Sequence, residues 1–238
     1  MALTVTACGN SQNAASASTK SQTVNTTISV GETAYCAFAW LTLAGTETVS
    51  FTDNASNTWV VDQQTVGVNE AIGVAIASSA ITTQLTATTG IITATTTAAT
   101  IGQAISVIKV DSVSVPTPIV TDGASSANSA GAAVTTLAAG SITPTFNPDF
   151  GLYALGKNGS TGSTPPAGWT EKSDASAGGT LTLEFCHLTA LTASNTALTP
   201  TPTWTGSMTC RIVQVLYKGS NGSGAAAAHN SMLLGVGA

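Results

Sequence analysis

The residues able to do chemistry in this chain are few, and their spacing limits what they can do. His187 stands beside Cys186 in Thr180-Leu-Thr-Leu-Glu-Phe-Cys-His-Leu-Thr189, and His229 lies close to the C-terminus. A nucleophile needs a base within hydrogen-bond reach and a third group to orient that base. Adjacent strand residues point to opposite faces, so Cys186 and His187 cannot form such a pair. Asp53, Asn54, Asn57 and Asp62 could surround a calcium ion, but their spacing matches no calcium-loop signature and suits a solvated turn. Glu171 and Asp174 would serve a glycosidase only inside a cleft with aromatic walls; beside a turn they read as surface charges. Cys8, Cys36, Cys186 and Cys210 lack the CxxC spacing of a zinc site. A Cys186–Cys210 bridge is conceivable, but synthesis in a reducing compartment favours free, buried thiols. There is no GxSxG, HExxH or P-loop. The expectation is a non-enzymatic protein with no catalytic residue, cofactor or metal.

Composition points the same way. Of 238 residues, 43% are apolar and only 7% are charged, against about a quarter charged in an ordinary globular chain. Disordered chains are poor in apolar residues and rich in charge; this one is the reverse and should fold. Its polarity comes from Ser, Thr, Asn and Gln, and its net charge is −5. A neutral surface of this kind lacks the repulsion that keeps monomers apart, and suits a protein held in an assembly. Six basic residues spread from Lys20 to Lys218 make no stripe for phosphates, so nucleic acid is not an expected partner. No apolar run approaches membrane-spanning length. Val5-Thr-Ala-Cys8 lacks the basic and apolar segments of a cleaved leader, so synthesis in the cytoplasm without a signal peptide is expected.

Apolar alternation and turn residues place these groups on strands. Thr33–Leu43 is the most apolar run and reads as a central strand buried on both faces. Phe51-Thr-Asp-Asn-Ala-Ser-Asn-Thr-Trp59 reads as a hairpin with an aromatic on each arm. Further strands are expected at Val24–Val30, Ala71–Ala77, Gln84–Thr88, Ile91–Thr95, Gln103–Val110, Ala133–Leu137, Phe150–Gly156, Thr180–Thr189 and Cys210–Lys218. Thr199–Thr205 looks like an extended edge. Residues 10–22 read as a loop or arm, and 111–132, with Pro116 and Pro118, as a crossover rather than a strand. No helix is expected.

The pattern recurs. Each half has an apolar strand, a turn ending in Trp (Trp59, Trp169), a strand, a Thr-rich stretch and a strand ending in Lys. Trp59 and Lys109 are 50 residues apart, and Trp169 and Lys218 are 49 apart. The Phe51–Trp59 and Pro165–Thr170 segments are then two Trp-bearing corners of one architecture. The expected fold is all-β: a two-sheet antiparallel sandwich, jelly-roll-like, with two pseudo-repeated halves and extended terminal arms. Its boundaries are an N-terminal strand and arm at 1–23 and a sandwich at 24–218, with halves at 24–110 and 133–218 and a crossover at 111–132. A Gly/Ser linker and an apolar tail fill 219–238. The tail ends in Met232-Leu-Leu-Gly-Val-Gly-Ala238, an anchor rather than a solvated end, so Met232, Leu233, Leu234 and Val236, with Leu3 and Val5 at the other terminus, are the candidate partner-binding residues.

The order Val49-Ser-Phe-Thr-Asp53-Asn-Ala-Ser-Asn57-Thr-Trp59, Ile105-Ser-Val-Ile-Lys109, Pro165-Pro-Ala-Gly-Trp-Thr170 and Val213-Gln-Val-Leu-Tyr-Lys218 resembles structural β-sandwich proteins of tailed-bacteriophage virions. In these a D-x-x-G-N-T-W hairpin and a later G-W-T turn recur; Ser56 stands where Gly is usual. The resemblance covers roughly residues 24–218. It implies a capsid decoration (cement) protein in a virion, a homo-oligomer such as a trimer, with the major capsid protein and copies of itself as partners. The rival expectation is a glycan-binding adhesin or tail-fibre module that stacks sugars on exposed Trp40, Trp59, Trp169 or Trp204.

Overall fold

The computed structural model describes residues 4–42, 44–111, 119–145, 149–177, 179–191 and 196–218. The described residues contain sixteen strands and no helix, hence no helix long and apolar enough to cross a membrane. In the first half these are β1 (Val5–Asn13), β2 (Ala17–Thr23), β3 (Thr33–Leu41), β4 (Val49–Asp53), β5 (Val60–Gly67), β6 (Ile72–Ala80), β7 (Ile91–Thr100) and β8 (Gly102–Val110). The second half holds β9 (Thr121–Asn128), β10 (Val134–Thr136), β11 (Asp149–Lys157), β12 (Ser163–Thr164), β13 (Thr170–Ala177), β14 (Leu181–Leu191), β15 (Thr203–Met208) and β16 (Cys210–Lys218).

The strands form four antiparallel sheets. An inner sheet β1-β8-β3-β6-β5 carries an outer sheet β2-β7-β4, and an inner sheet β13-β14-β11-β16-β9 carries an outer sheet β10-β15-β12. Adding eight to each strand number of the first half reproduces the neighbour order of the second. The halves are thus two copies of one topology. Eight strands per half is the jelly-roll number, but they divide five and three because β5 pairs with β6 in the inner sheet. The molecule is therefore two sandwiches stacked as four layers, not the single pair of sheets expected.

Three cores follow from strand alternation. Tyr35, Ala37, Ala39 and Leu41 of β3 meet Phe150, Leu152 and Ala154 of β11 in a core between the two inner sheets. The intervening residues Cys36, Phe38 and Trp40 face the first outer sheet and pack with Phe51 and Ile92. Tyr153, Leu155 and Ile212 face the second outer sheet with Trp204. β3 is buried at every position, as its uninterrupted apolar run requires. A side chain at Gly73 would collide with the Trp40 indole, 2.0 Å from where its Cβ would lie.

Several expectations change. Residues 10–22 are not an arm: β1 runs to Asn13 against β8, and β2 pairs with β7. Thr121–Asn128, inside the expected crossover, is strand β9 on the edge beside β16; small Ser, Ala and Gly residues hid it because its side chains add little to a core. β15 is central in its sheet, not an edge. Val24–Val30 and Gln84–Thr88 contribute only the isolated bridge Ile28–Leu85. All four cysteines are buried free thiols.

Candidate functional site

The Phe51–Trp59 segment is a corner rather than a hairpin. Its arms do not pair: β4 joins β7 in the outer sheet, and β5 joins β6 in the inner one. Asp53 builds the turn, its Oδ1 accepting from the amides of Ala55 (2.8 Å) and Asn57 (3.1 Å) and its Oδ2 from Trp59 Nε1 (2.8 Å). Asn57 Oδ1 accepts from the amides of Thr82 and Thr83, and its Nδ2 donates to the Thr83 carbonyl. Asn54 ties the same tip to Ile91 and Thr89. Ser56 adopts φ 62, the left-handed conformation for which Gly is the usual choice. These side chains are consumed by the turn, and among the described residues no group of three or more His, Cys, Asp or Glu could hold a metal ion.

The second corner is placed alike, since Trp169 immediately precedes β13 as Trp59 precedes β5. Its ring lies edge-on to Tyr153, with centroids 4.9 Å apart. Both inner-sheet edges then bulge, β5 between Val61 and Gln63 and β13 between Glu171 and Ser173. The unpaired residues are Asp62 and Lys172, three positions after each Trp. Trp40 and Trp204 are buried, at 0% and 6% exposure, and Trp59 and Trp169 are half-buried. An exposed platform of tryptophans for sugar stacking is not formed.

Sequence reasoning missed a polar cluster within the second sandwich. Lys157 and Glu184 are both fully buried. Lys157 Nζ donates to Ser163 Oγ and lies 5.5 Å from the Trp204 ring centroid. Tyr153 and Cys186 both donate to Glu184 Oε1, and Glu184 Oε2 has no protein partner. Burial lowers the Lys157 ammonium and raises the Cys186 thiol and the Tyr153 phenol from their ordinary values. Burial also raises Glu171 and Asp174 nearby, helped by carboxylate neighbours. The thiol is protonated at neutral pH, so it is no nucleophile. His187 belongs by alternation to the opposite face. Its imidazole is lowered to about 4, first by burial and then by Lys172, against a hydrogen bond with the Thr170 backbone. The missed signal was Glu184 itself, a charge within an otherwise buried strand.

The seam between sandwiches is the other concentration of polar groups. Arg211 of β16 forms an ion pair with Glu70, in the β5–β6 turn, and donates to Thr65 Oγ1 at 2.8 Å. Glu70 also accepts from the Gly131 amide at 2.9 Å. Tyr217 donates to Asp62 Oδ2 at 2.7 Å, and its ring lies 4.8 Å from that of Tyr35. The charged groups thus tie the halves to one another.

The outward faces are neutral. Register aligns Ser21, Thr93 and Thr52 in one row across the first outer sheet, and Thr19, Thr95 and Ser50 in the next. Thr136, Thr203 and Thr164 form a row on the second outer sheet. Of the residues expected to bind partners, Val5 pairs with Val110 and lies in the central core. It is corrected to a core residue, because β1 is an integral strand. Leu3, Met232, Leu233, Leu234 and Val236 lie outside the described residues.

Compared with protein-family models, with curated proteins and with solved structures, the chain shows no match in any of the three.

Proposed function

We propose that the chain is a non-enzymatic structural protein of a virion, a decoration or cement protein on the head of a tailed phage. The observation that carries this reading is the distribution of charge. Lys109 is bonded to Glu32 and the Thr27 carbonyl, Arg211 to Glu70, and Asp53 and Glu47 hold their own turns. The two outermost sheets present rows of hydroxyls instead. A rigid block with neutral, opposed faces packs among copies and neighbours without the repulsion that a charged surface brings. The apolar end of the chain, Met232–Val236, would supply the anchor on a capsid subunit.

Quantitative mass spectrometry of purified particles tests the assignment. Hundreds of copies per particle are expected, and a handful would place the protein in a tail or fibre. A chain ending at Lys218 should lose particle association, and unchanged occupancy would remove the tail from the reading.

A further inference from the structure

The seam contains a cleft whose polar floor the packing of the sandwiches does not require. The β5 bulge leaves Asp62 without a ladder partner, and bulges commonly re-aim a side chain. Here the carboxylate accepts from Ser78 Oγ at 3.0 Å and from the Tyr217 hydroxyl at 2.7 Å. Asp62, Ser78 and Ser79 line a cleft of about 310 Å³, with Val60, Ala80 and Ile119 among its apolar walls, at the lower end of ligand-site sizes. Ser79 is 1% exposed, and its hydroxyl has no partner in the protein.

The chemistry of the lining selects the ligand. No lysine or arginine lines the cleft, and burial raises the Asp62 carboxyl despite its two hydrogen bonds. An anion would be repelled, and a neutral polyol would leave the half-buried carboxylate uncompensated. A hard metal ion asks for more oxygen ligands than one carboxylate and two hydroxyls offer. An ammonium presents three donors, matching the three acceptor groups, and its alkyl stem suits the apolar walls.

We propose that this cleft binds a primary alkylammonium group, from a free amine or a lysine side chain of a neighbouring chain, through Asp62, Ser78 and Ser79. The proposal is independent of the virion reading. Its test is titration of the isotope-labelled full chain with n-butylammonium, with n-butanol as the neutral control, followed by amide shifts at 58–62 and 78–82. Saturable shifts are expected with the cation alone, weakened about tenfold or more by Asp62→Asn, since a charge-assisted hydrogen bond is lost. Ser79→Ala should weaken binding while leaving the carboxylate and its Tyr217 contact in place, so the test survives if Asp62→Asn misfolds. Tighter binding of a doubly capped lysine than of butylammonium identifies a side chain as the source; equal or weaker binding identifies a free amine. Equal shifts with butanol, affinity unchanged in both variants, or no saturable shift would overturn the proposal.

Discussion

Ser56 and His187 show how single residues carry conformational and electrostatic cost in this chain. Ser56 holds φ 62 at the first Trp corner, where a side chain is disfavoured and Gly is not. Ser56→Gly should therefore stabilise the protein by up to about 1 kcal/mol, the higher entropy of an unfolded glycine offsetting part of the gain. Urea unfolding measures this, and a loss of stability would mean that the turn is not left-handed. His187 is lowered to about 4 by burial and Lys172, below an unfolded value near about 6.5. Between those values the unfolded chain binds the extra proton. The contribution of His187 is complete above the unfolded value and is lost as pH falls through the folded one, a few kcal/mol at most. His187→Gln should flatten the stability–pH curve across that window; an unchanged curve would show that the imidazole stays solvated.

At the level of elements, the Trp corners and the bulges that follow them are the repeated unit. Each corner passes the chain from an outer to an inner sheet, and each bulge turns one side chain off the ladder. In the first half that residue is Asp62, which reaches across the seam to Tyr217. The nearby turn between β5 and β6 supplies Glu70 to Arg211 of β16, and both are buried. Breaking a buried pair from one side leaves an uncompensated charge and costs about 3–5 kcal/mol. Arg211→Met should lower stability by that amount, and the Arg211→Met, Glu70→Gln double variant should recover part of it. Thermal melting of the four-member cycle reads the coupling; strictly additive losses would show that the pair does not act as one.

For the whole molecule, the central core belongs to neither half alone. Tyr35, Leu41, Ile72 and Ile76 on one side meet Phe150, Leu152 and Phe185 on the other. Separating the chain between residues 111 and 119 would expose both inner sheets, an apolar area larger than soluble monomers tolerate. Each half expressed alone should aggregate or remain molten, and co-expression should restore a soluble pair. Two halves that are separately soluble and cooperatively folded would show that the central core is dispensable. The same stacking directs the hydroxyl rows of the outer sheets away from one another.

What the sequence determined by itself is the class of fold and its doubling. Period-two alternation, the apolar run of β3 and the equal Trp-to-Lys intervals are local or linear signals, and backbone sterics turn them into strands, corners and a repeat. Even Asp53 and Asn57 were legible as turn builders, because their partners lie close in sequence or on the adjoining loop. The tertiary structure alone decided that the arms of the first corner belong to different sheets, that there are four layers, and that small-residue strands such as β9 pair at the edge. It also decided which charges meet. Arg211 finds Glu70, and Tyr217 finds Asp62, across more than a hundred residues of chain. Such pairings depend on how two sheets register in space, and no periodicity along one strand encodes the position of another.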